Sequence, residues 1–177
     1  MTAGIVLAAG AGVRLGRPKA ELVVAGERLV DRAVRVLRAG GCTEVVAVVR
    51  AGLEVDGAVV AVNPDPDRGM GSSLRLGLAA ASGARAVVVL VDTPGIGAAE
   101  VRRVLAVDAP FVIARYGERR SHPVAIDRPL WAEVAALAEG DEGARPFMRA
   151  HPDLVTEVSC DGDPSDIDTP ADLARWG

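Results

Sequence analysis

The sequence predicts an α/β fold: a three-layer α/β/α sandwich around a Rossmann-like, mostly parallel sheet with a small antiparallel excursion. Short apolar runs that end in glycine or turn residues alternate with segments of helical period. Half of the residues are hydrophobic yet only 3% are aromatic, so Ala, Val and Leu must build the core, as they do where a parallel sheet is buried between helices. At 177 residues the chain has the size of one domain, and no repeat or linker divides it, so residues 1–177 are expected to form a single unit.

The elements follow in order. Residues 3–8 are a short apolar run ending at a glycine loop, the pattern of a buried central strand. A brief extended piece at 22–24 turns at Ala25-Gly26-Glu27. Leu29, Val30, Ala33, Val34 and Leu37 then recur at helical spacing, with Arg32, Arg35 and Arg38 between them, and Gly40-Gly41 ends that helix. Strands at 44–49 and 58–62 complete a βαβ unit, whose parallel strands need both faces covered. The turn-rich loop NPDPDRGMGSS leads into a helix over 72–81 with Leu74, Leu78 and Ala81 on one stripe.

The run AVVVLV at 86–91 is apolar on both faces and β-branched, and it stops at Asp92-Thr93-Pro94. A helix over 98–106 and a strand at 111–114 precede a polar turn at Gly117-Glu118-Arg119-Arg120 and an antiparallel return at 123–126. Next come a helix over 130–137 and a helix carrying Arg145, Phe147 and Met148 behind the cap region Asp141-Glu142-Gly143. A strand at 154–158 leads to the acidic loop DGDPSDIDTPADL. In that loop Thr169 suits an N-cap, Pro170 the first helical position and Asp172 the N-terminal dipole.

Residues 7–22, LAAGAGVRLGRPKAEL, gather Gly10, Gly12 and Gly16 with Arg14, Arg17 and Lys19. Glycines let main-chain N–H groups approach a ligand, the cations supply countercharge, and Pro18 stiffens the turn that presents Lys19. The spacing is not a Walker A motif, since alanine follows Lys19. Nor is it the strict dinucleotide fingerprint, because Leu15 stands where the third glycine belongs and Gly16 comes one residue late. A phosphate is the ligand such a loop suits; the plain alternative is a strand-to-helix turn with surface arginines.

Asp92 directly follows the most strand-like run, and the carboxyl ends of parallel strands border the ligand crevice. A carboxylate facing a phosphate loop repels the ligand unless a hard cation lies between them, which implies Mg²⁺ shared by carboxylate and phosphate oxygens. The alternative is that Asp92 merely caps the Thr93-Pro94 turn. Among Asp161, Asp163, Asp166 and Asp168, the last is placed to reach back as a second metal ligand, and much of the remaining acid is structural or solvated.

His122, set between Ser121 and Pro123 beside Arg119 and Arg120, reads as lining a substrate pocket, and His151 as a surface residue. Neither histidine belongs to an HExxH or Cys-His pattern. Ser72 and Ser73 lack a G-x-S-x-G setting and read as helix-capping or ligand-contacting hydroxyls.

A net charge of -4 without a long basic tract leaves nucleic acid no strong attraction. No apolar run approaches the roughly 20 residues of a membrane span. The apolar start lacks the basic region of a signal peptide, so a cytoplasmic location is expected. Cys42 and Cys160 have no CxxC spacing and read as reduced thiols, with a single disulfide as the alternative.

The opening motif, together with NPDPDRGMGSSLRLGL, VVVLVDTP, SHPVAI, GDEGAR and DIDTPADL, resembles the MobA-like nucleotidyltransferase family, and most nearly its molybdenum cofactor cytidylyltransferase branch. The resemblance spans nearly the whole chain. It implies Mg²⁺-dependent transfer of a nucleoside monophosphate from an NTP to a small phosphorylated acceptor, a molybdopterin-type cofactor, with release of pyrophosphate. It further implies a transient contact with the enzyme that receives the cofactor.

By motif match, Leu7, Ala8, Ala9 and Gly10 frame the base and ribose, while Gly12, Arg14 and Lys19 hold the triphosphate. Asn63, Gly71 and Ser73 complete the nucleotide pocket, and Asp92 and Asp168 ligate the metal. Arg14, Lys19 and Asp92 carry catalysis, and His122 and Arg120 meet the acceptor. Alanine at position 9, in LAAG, points to CTP, whereas Ser121 departs from the glycine that usually precedes His-Pro. The competing expectation is an NAD(P)-dependent oxidoreductase using the same glycine loop, with Arg50 receiving a 2′-phosphate.

Overall fold

A computed structural model describes all 177 residues. Its strands are β1 (Thr2–Ala8), β2 (Val23–Val24), β3 (Glu27–Arg28), β4 (Glu44–Val49), β5 (Val59–Val62), β6 (Arg85–Leu90), β7 (Phe111–Tyr116), β8 (Arg119–Asp127) and β9 (Val155–Ser159). Its helices are α1 (Leu29–Ala39), α2 (Met70–Ala80), α3 (Ala98–Ala106), α4 (Trp131–Leu137), α5 (Arg145–Ala150) and α6 (Pro170–Arg175).

Seven strands form one sheet in the order β5-β4-β1-β6-β8-β7-β9, and β2 and β3 make a separate hairpin. Every pairing in the large sheet is parallel except those of β8, which runs against β6 and β7 and is the antiparallel excursion. β1 lies between β4 and β6, with Leu7 opposite Val48 on one side and Leu90 on the other. Unbroken apolar composition places these three strands centrally, because both of their faces are covered by helices.

On one face Val6 and Ala8 pack with Val30, Val34 and Leu37 of α1 and Val101 and Val104 of α3. On the other, Ile5 and Leu7 pack with Leu74 and Leu78 of α2, Val134 of α4 and Phe147 of α5. Two glycines set the spacing. A Cβ on Gly4 would stand 2.8 Å from Leu37 Cδ1, and one on Gly77 would stand 2.5 Å from Ile5 Cγ2, so each helix seats directly on the sheet.

The structure moves several boundaries: α2 runs from Met70 to Ala80 rather than over 72–81, β5 begins at Val59, β7 continues to Tyr116, and Leu130 sits in a 3₁₀ turn before α4. Arg119 and Arg120 belong to β8 rather than to the turn, which contracts to Gly117 and Glu118. The register of β7 with β8 jumps from Ile113–Val124 to Ala114–Ser121, so a bulge at His122 and Pro123 breaks the alternation that would have marked a longer strand. Leu154 sits in a 3₁₀ turn, and β9 begins at Val155. Cys42 and Cys160 are both free and buried, and burial pushes the Cys42 thiol up to about 11.

Candidate active site

The glycine loop leaves the carboxyl end of β1 and folds back on itself. Leu15 N–H donates to the Gly12 carbonyl at 2.9 Å, and Lys19 N–H donates to the Gly10 carbonyl at 3.4 Å. Gly12 has φ +61, and a Cβ there would lie 1.9 Å from the Arg17 carbonyl oxygen, so only glycine allows the loop to close. Closure aims Lys19 across the sheet edge.

Asp92 meets it there. Val91 N–H donates to the Leu7 carbonyl at 3.2 Å, which holds the end of β6 beside the end of β1. Lys19 Nζ lies 2.7 Å from Asp92 Oδ2 and 3.4 Å from Asp168 Oδ1, and the exposed Arg14 also pairs with Asp168. Burial works against the Lys19 ammonium, but the two carboxylates outweigh it and hold its pKa above the ordinary lysine value. Burial also pushes the Asp92 carboxyl up, against the pull of Lys19.

The acidic tail reaches this point because it is stitched to the loop after β6. Ile167 N–H donates to the Asp92 carbonyl at 2.9 Å, and Asp163 N–H donates to the Gly95 carbonyl at 3.2 Å. The Ile167 side chain is fully buried, which contributes roughly 1.5–3 kcal/mol and anchors Asp168 next to it. Thr169 caps α6 in a reciprocal box with Asp172, whose carboxylate also accepts from Asp168 N–H at 3.0 Å.

Beside the loop opens a cavity of about 480 Å³ whose walls include Leu7, Ala9, Gly10, Lys19, Ser73 and Asp92. Ala8, Gly12, Asn63 and Gly71 are not among its lining residues. Ala8 is buried in the core under α1. The buried Asn63 donates through Nδ2 to Ser72 Oγ and Ser73 Oγ, both at 3.0 Å, and so fixes the start of α2. Gly71 N–H donates to the Gly140 carbonyl at 2.8 Å, and a Cβ there would crowd Glu139 N at 2.8 Å, so this glycine joins α2 to the loop before α5.

Arg50, which the sequence offers as a 2′-phosphate receptor, is already engaged. Its Nε donates to the Ala9 carbonyl at 2.8 Å and its second nitrogen to Asp67 Oδ1 at 2.7 Å. The arginine thus shapes the glycine loop from the cavity wall.

A second cavity, of about 610 Å³, adjoins the first across Met70, Leu90 and Asp141. His122 and Arg120 both line it, as do Thr93 and Asp166 next to the Asp92 loop. Burial and the nearby Arg145 charge hold His122 down at about 4, so its imidazole is neutral at pH 7. Arg120 pairs with Glu157 at the rim. Arg145 ends the GDEGAR segment and carries no role legible from the sequence; its place beside the cavity that His122 lines follows from the packing of α5 against the sheet.

The donor set at the junction suits a hard cation that keeps other ligands. Asp92 and Asp168 supply two carboxylates, and no cluster of three or more His, Cys, Asp or Glu side chains is present. Two protein carboxylates with phosphate and water oxygens completing the shell is how Mg²⁺ is commonly held in phosphoryl-transfer sites.

Residues 4–155 match the family model described as the MobA-like NTP transferase domain. The nicotine blue oxidoreductase of Paenarthrobacter nicotinovorans is 40% identical, over 97% of this chain and 94% of that protein. A probable molybdenum cofactor guanylyltransferase of Opitutus terrae is 46% identical, over 55% of this chain and 50% of its own length. Among solved structures, Rv0371c of Mycobacterium tuberculosis superposes with a TM-score of 0.87 at 31% identity, covering 99% of this chain and 96% of that one. A manganese complex of Rv0371c superposes with a TM-score of 0.82 at 28% identity, covering 99% and 97%.

Proposed function

The chain belongs to the MobA-like NTP transferase family, and on that premise we propose that it moves a nucleoside monophosphate, CMP by preference, from an NTP to a small phosphorylated acceptor of molybdopterin type. An acceptor phosphate oxygen attacks the α-phosphorus, the bond to the β-phosphate oxygen breaks, and pyrophosphate leaves. The observation that carries this reading is the convergence of Lys19 on Asp92 and Asp168 at the edge of a nucleotide-sized cavity.

Each residue has a definable task. Main-chain N–H groups of the glycine loop, with Arg14 and Lys19, neutralise the triphosphate as charge develops on the leaving group. Leu7, Ala9 and Gly10 form the floor for base and ribose, with Ala8 supporting them from the core, and Asn63 and Gly71 position Ser73 at the cavity. Asp92 and Asp168 would hold Mg²⁺, which when bound supplies charge neutralisation and alignment of the phosphates. The acceptor enters from the second cavity, past His122 and Arg120.

No nucleophilic side chain is needed, because positioning and charge carry this class of reaction. Residues 1–177 act as one domain, since the tail beyond the family match is tied to Asp92 by Ile167. No helix is long and apolar enough to cross a membrane. A cytoplasmic location, and a transient encounter with a cofactor-receiving enzyme, belong to the same proposal.

The oxidoreductase reading has one observation in its favour, the full-length relative of that name. Against it, Arg50 is bound to Ala9 and Asp67, and a nicotinamide site gives no use to the paired carboxylates. Thermal unfolding with CTP, GTP, ATP and NADPH, each with and without Mg²⁺, separates the two. A nucleotide at 100 times its Kd adds about 2.7 kcal/mol of stability. A metal-dependent shift with CTP is expected, and a metal-independent shift with NADPH alone would overturn the transferase reading.

A further inference from the structure

Resting on that reading, we infer that the second cavity carries an anion subsite, in which Arg119 and Arg145 hold an acidic group of the acceptor remote from the oxygen that reacts.

The cavity is lined by groups of both charges. Asp166 and Asp141 stand on the side that borders the nucleotide cavity and the Asp92 loop, and the guanidinium groups line it elsewhere. Two of its four arginines are already committed: Arg120 pairs with Glu157, and Arg149 makes a forked pair with Glu142. Arg119 and Arg145, both solvent-exposed, line the same space and form no ion pair and no side-chain hydrogen bond. A charged group left without a partner beside a cavity is available to a ligand, and a guanidinium matches carboxylate or phosphate with two parallel donors.

His122 supports this independently. Its ring makes no hydrogen bond within the protein, although the side chain is largely enclosed and lines the cavity. The Arg145 charge reaches it, so cation and imidazole face the same space. A neutral imidazole beside two guanidiniums offers one directed hydrogen bond to an anion without adding charge.

The lining also includes Leu90, Ile113, Val124 and the thioethers of Met70 and Met148. The acceptor class that fits therefore carries an acidic group besides its reacting oxygen. One end presents the attacking oxygen toward Asp92, an apolar body lies along the methionines, and a second acidic group, carboxylate or phosphate, reaches Arg119 and Arg145. A volume of about 610 Å³ exceeds what a bare phosphate needs, which accords with a body of this kind.

The chain has only two histidines, so the imidazole resonances of His122 and His151 can be followed separately by NMR. Inorganic phosphate is titrated in one arm and malonate in the other, to distinguish the two kinds of acidic group. A saturable shift at His122 with at least one anion, and none at His151, is expected. The Arg119→Ala/Arg145→Ala double variant should bind that anion at least about tenfold more weakly, with Arg145→Lys restoring part of the affinity over Arg145→Ala. Lys19→Ala should leave the His122 titration intact.

Three results would overturn the inference: no saturable His122 shift with either anion, unchanged affinity in the double variant, or loss of the His122 shift in Lys19→Ala, which would place the anion in the nucleotide cavity. Stabilisation by CTP with Mg²⁺ should survive in the double variant. Its absence from the wild-type chain would count against the transferase reading while leaving the anion titration to stand or fall by itself.

Discussion

Lys19 Nζ sits 2.7 Å from Asp92 Oδ2, with both side chains about 15% exposed, so one ion pair ties the glycine loop after β1 to the end of β6. The same two carboxylates that pair with the Lys19 ammonium, Asp92 and Asp168, are the ones the proposed function assigns to a divalent cation. Under the proposed function, nucleotide and metal would compete with this ion pair, Lys19 pairing with the phosphates and Asp92 with the metal.

Replacing either partner should therefore affect catalysis more than folding. Lys19→Ala and Asp92→Ala are each expected to lower turnover by roughly 10²–10³ while stability falls by about 1–3 kcal/mol. Steady-state kinetics and urea unfolding on the same preparations check this. Near-wild-type turnover in both variants would remove the pair from the mechanism.

Gly12 offers a backbone test of the loop. Gly12→Ala puts a methyl 1.9 Å from the Arg17 carbonyl oxygen and should abolish stabilisation by CTP with Mg²⁺. Gly16 has φ +73 but open space around it, so Gly16→Ala should cost only about 1–2 kcal/mol in stability and leave nucleotide binding measurable. Equal effects of the two would show that strain, not loop closure, governs the site.

The fold itself is sensitive at Gly77, where α2 touches Ile5. Gly77→Ala gains helix propensity but drives a methyl to 2.5 Å from Ile5 Cγ2, and the overpacking should dominate, with a net loss of about 1–3 kcal/mol. Denaturant midpoints at constant m-value would measure it. A rise in stability would mean the helix can lift off the sheet without penalty.

His122 should make the protein acid-sensitive over a defined range. Its pKa is about 4 in the folded protein and near 6.5 when free, so the unfolded chain takes up the proton first as pH falls. Stability from this group is complete above pH 6.5 and is lost as pH falls toward 4, by on the order of 3 kcal/mol at most. His122→Gln should flatten the difference between the two pH values in parallel unfolding curves, and an unchanged slope would show that other groups set it.

The central strands, the glycine loop and the place of Asp92 were all legible in the sequence, because each is dictated locally. An unbroken apolar run must be buried, and the residue that ends it lies at the carboxyl edge. The site's other half depends on contacts that leave little local trace. Asp168 stood out in the sequence as the acid placed to reach back, but the contact that brings it to Lys19, the buried Ile167 bonded to the Asp92 carbonyl, left no local trace. Asn63 resembles a ligand residue by motif, yet buried hydrogen bonds to Ser72 and Ser73 place it one layer back. Arg119 and Arg145 line one cavity from β8 and α5, a tertiary fact that no local pattern gives.

The most direct test is calorimetric titration of CTP into the wild-type chain and into the Asp92→Asn/Asp168→Asn variant, with Mg²⁺ in one series and EDTA in the other. The wild-type chain is expected to bind CTP at least about tenfold more tightly with Mg²⁺, while the variant, lacking both carboxylates, binds with the same affinity in either series. Equal wild-type affinity in Mg²⁺ and EDTA would contradict a shared metal-triphosphate site between Lys19, Asp92 and Asp168.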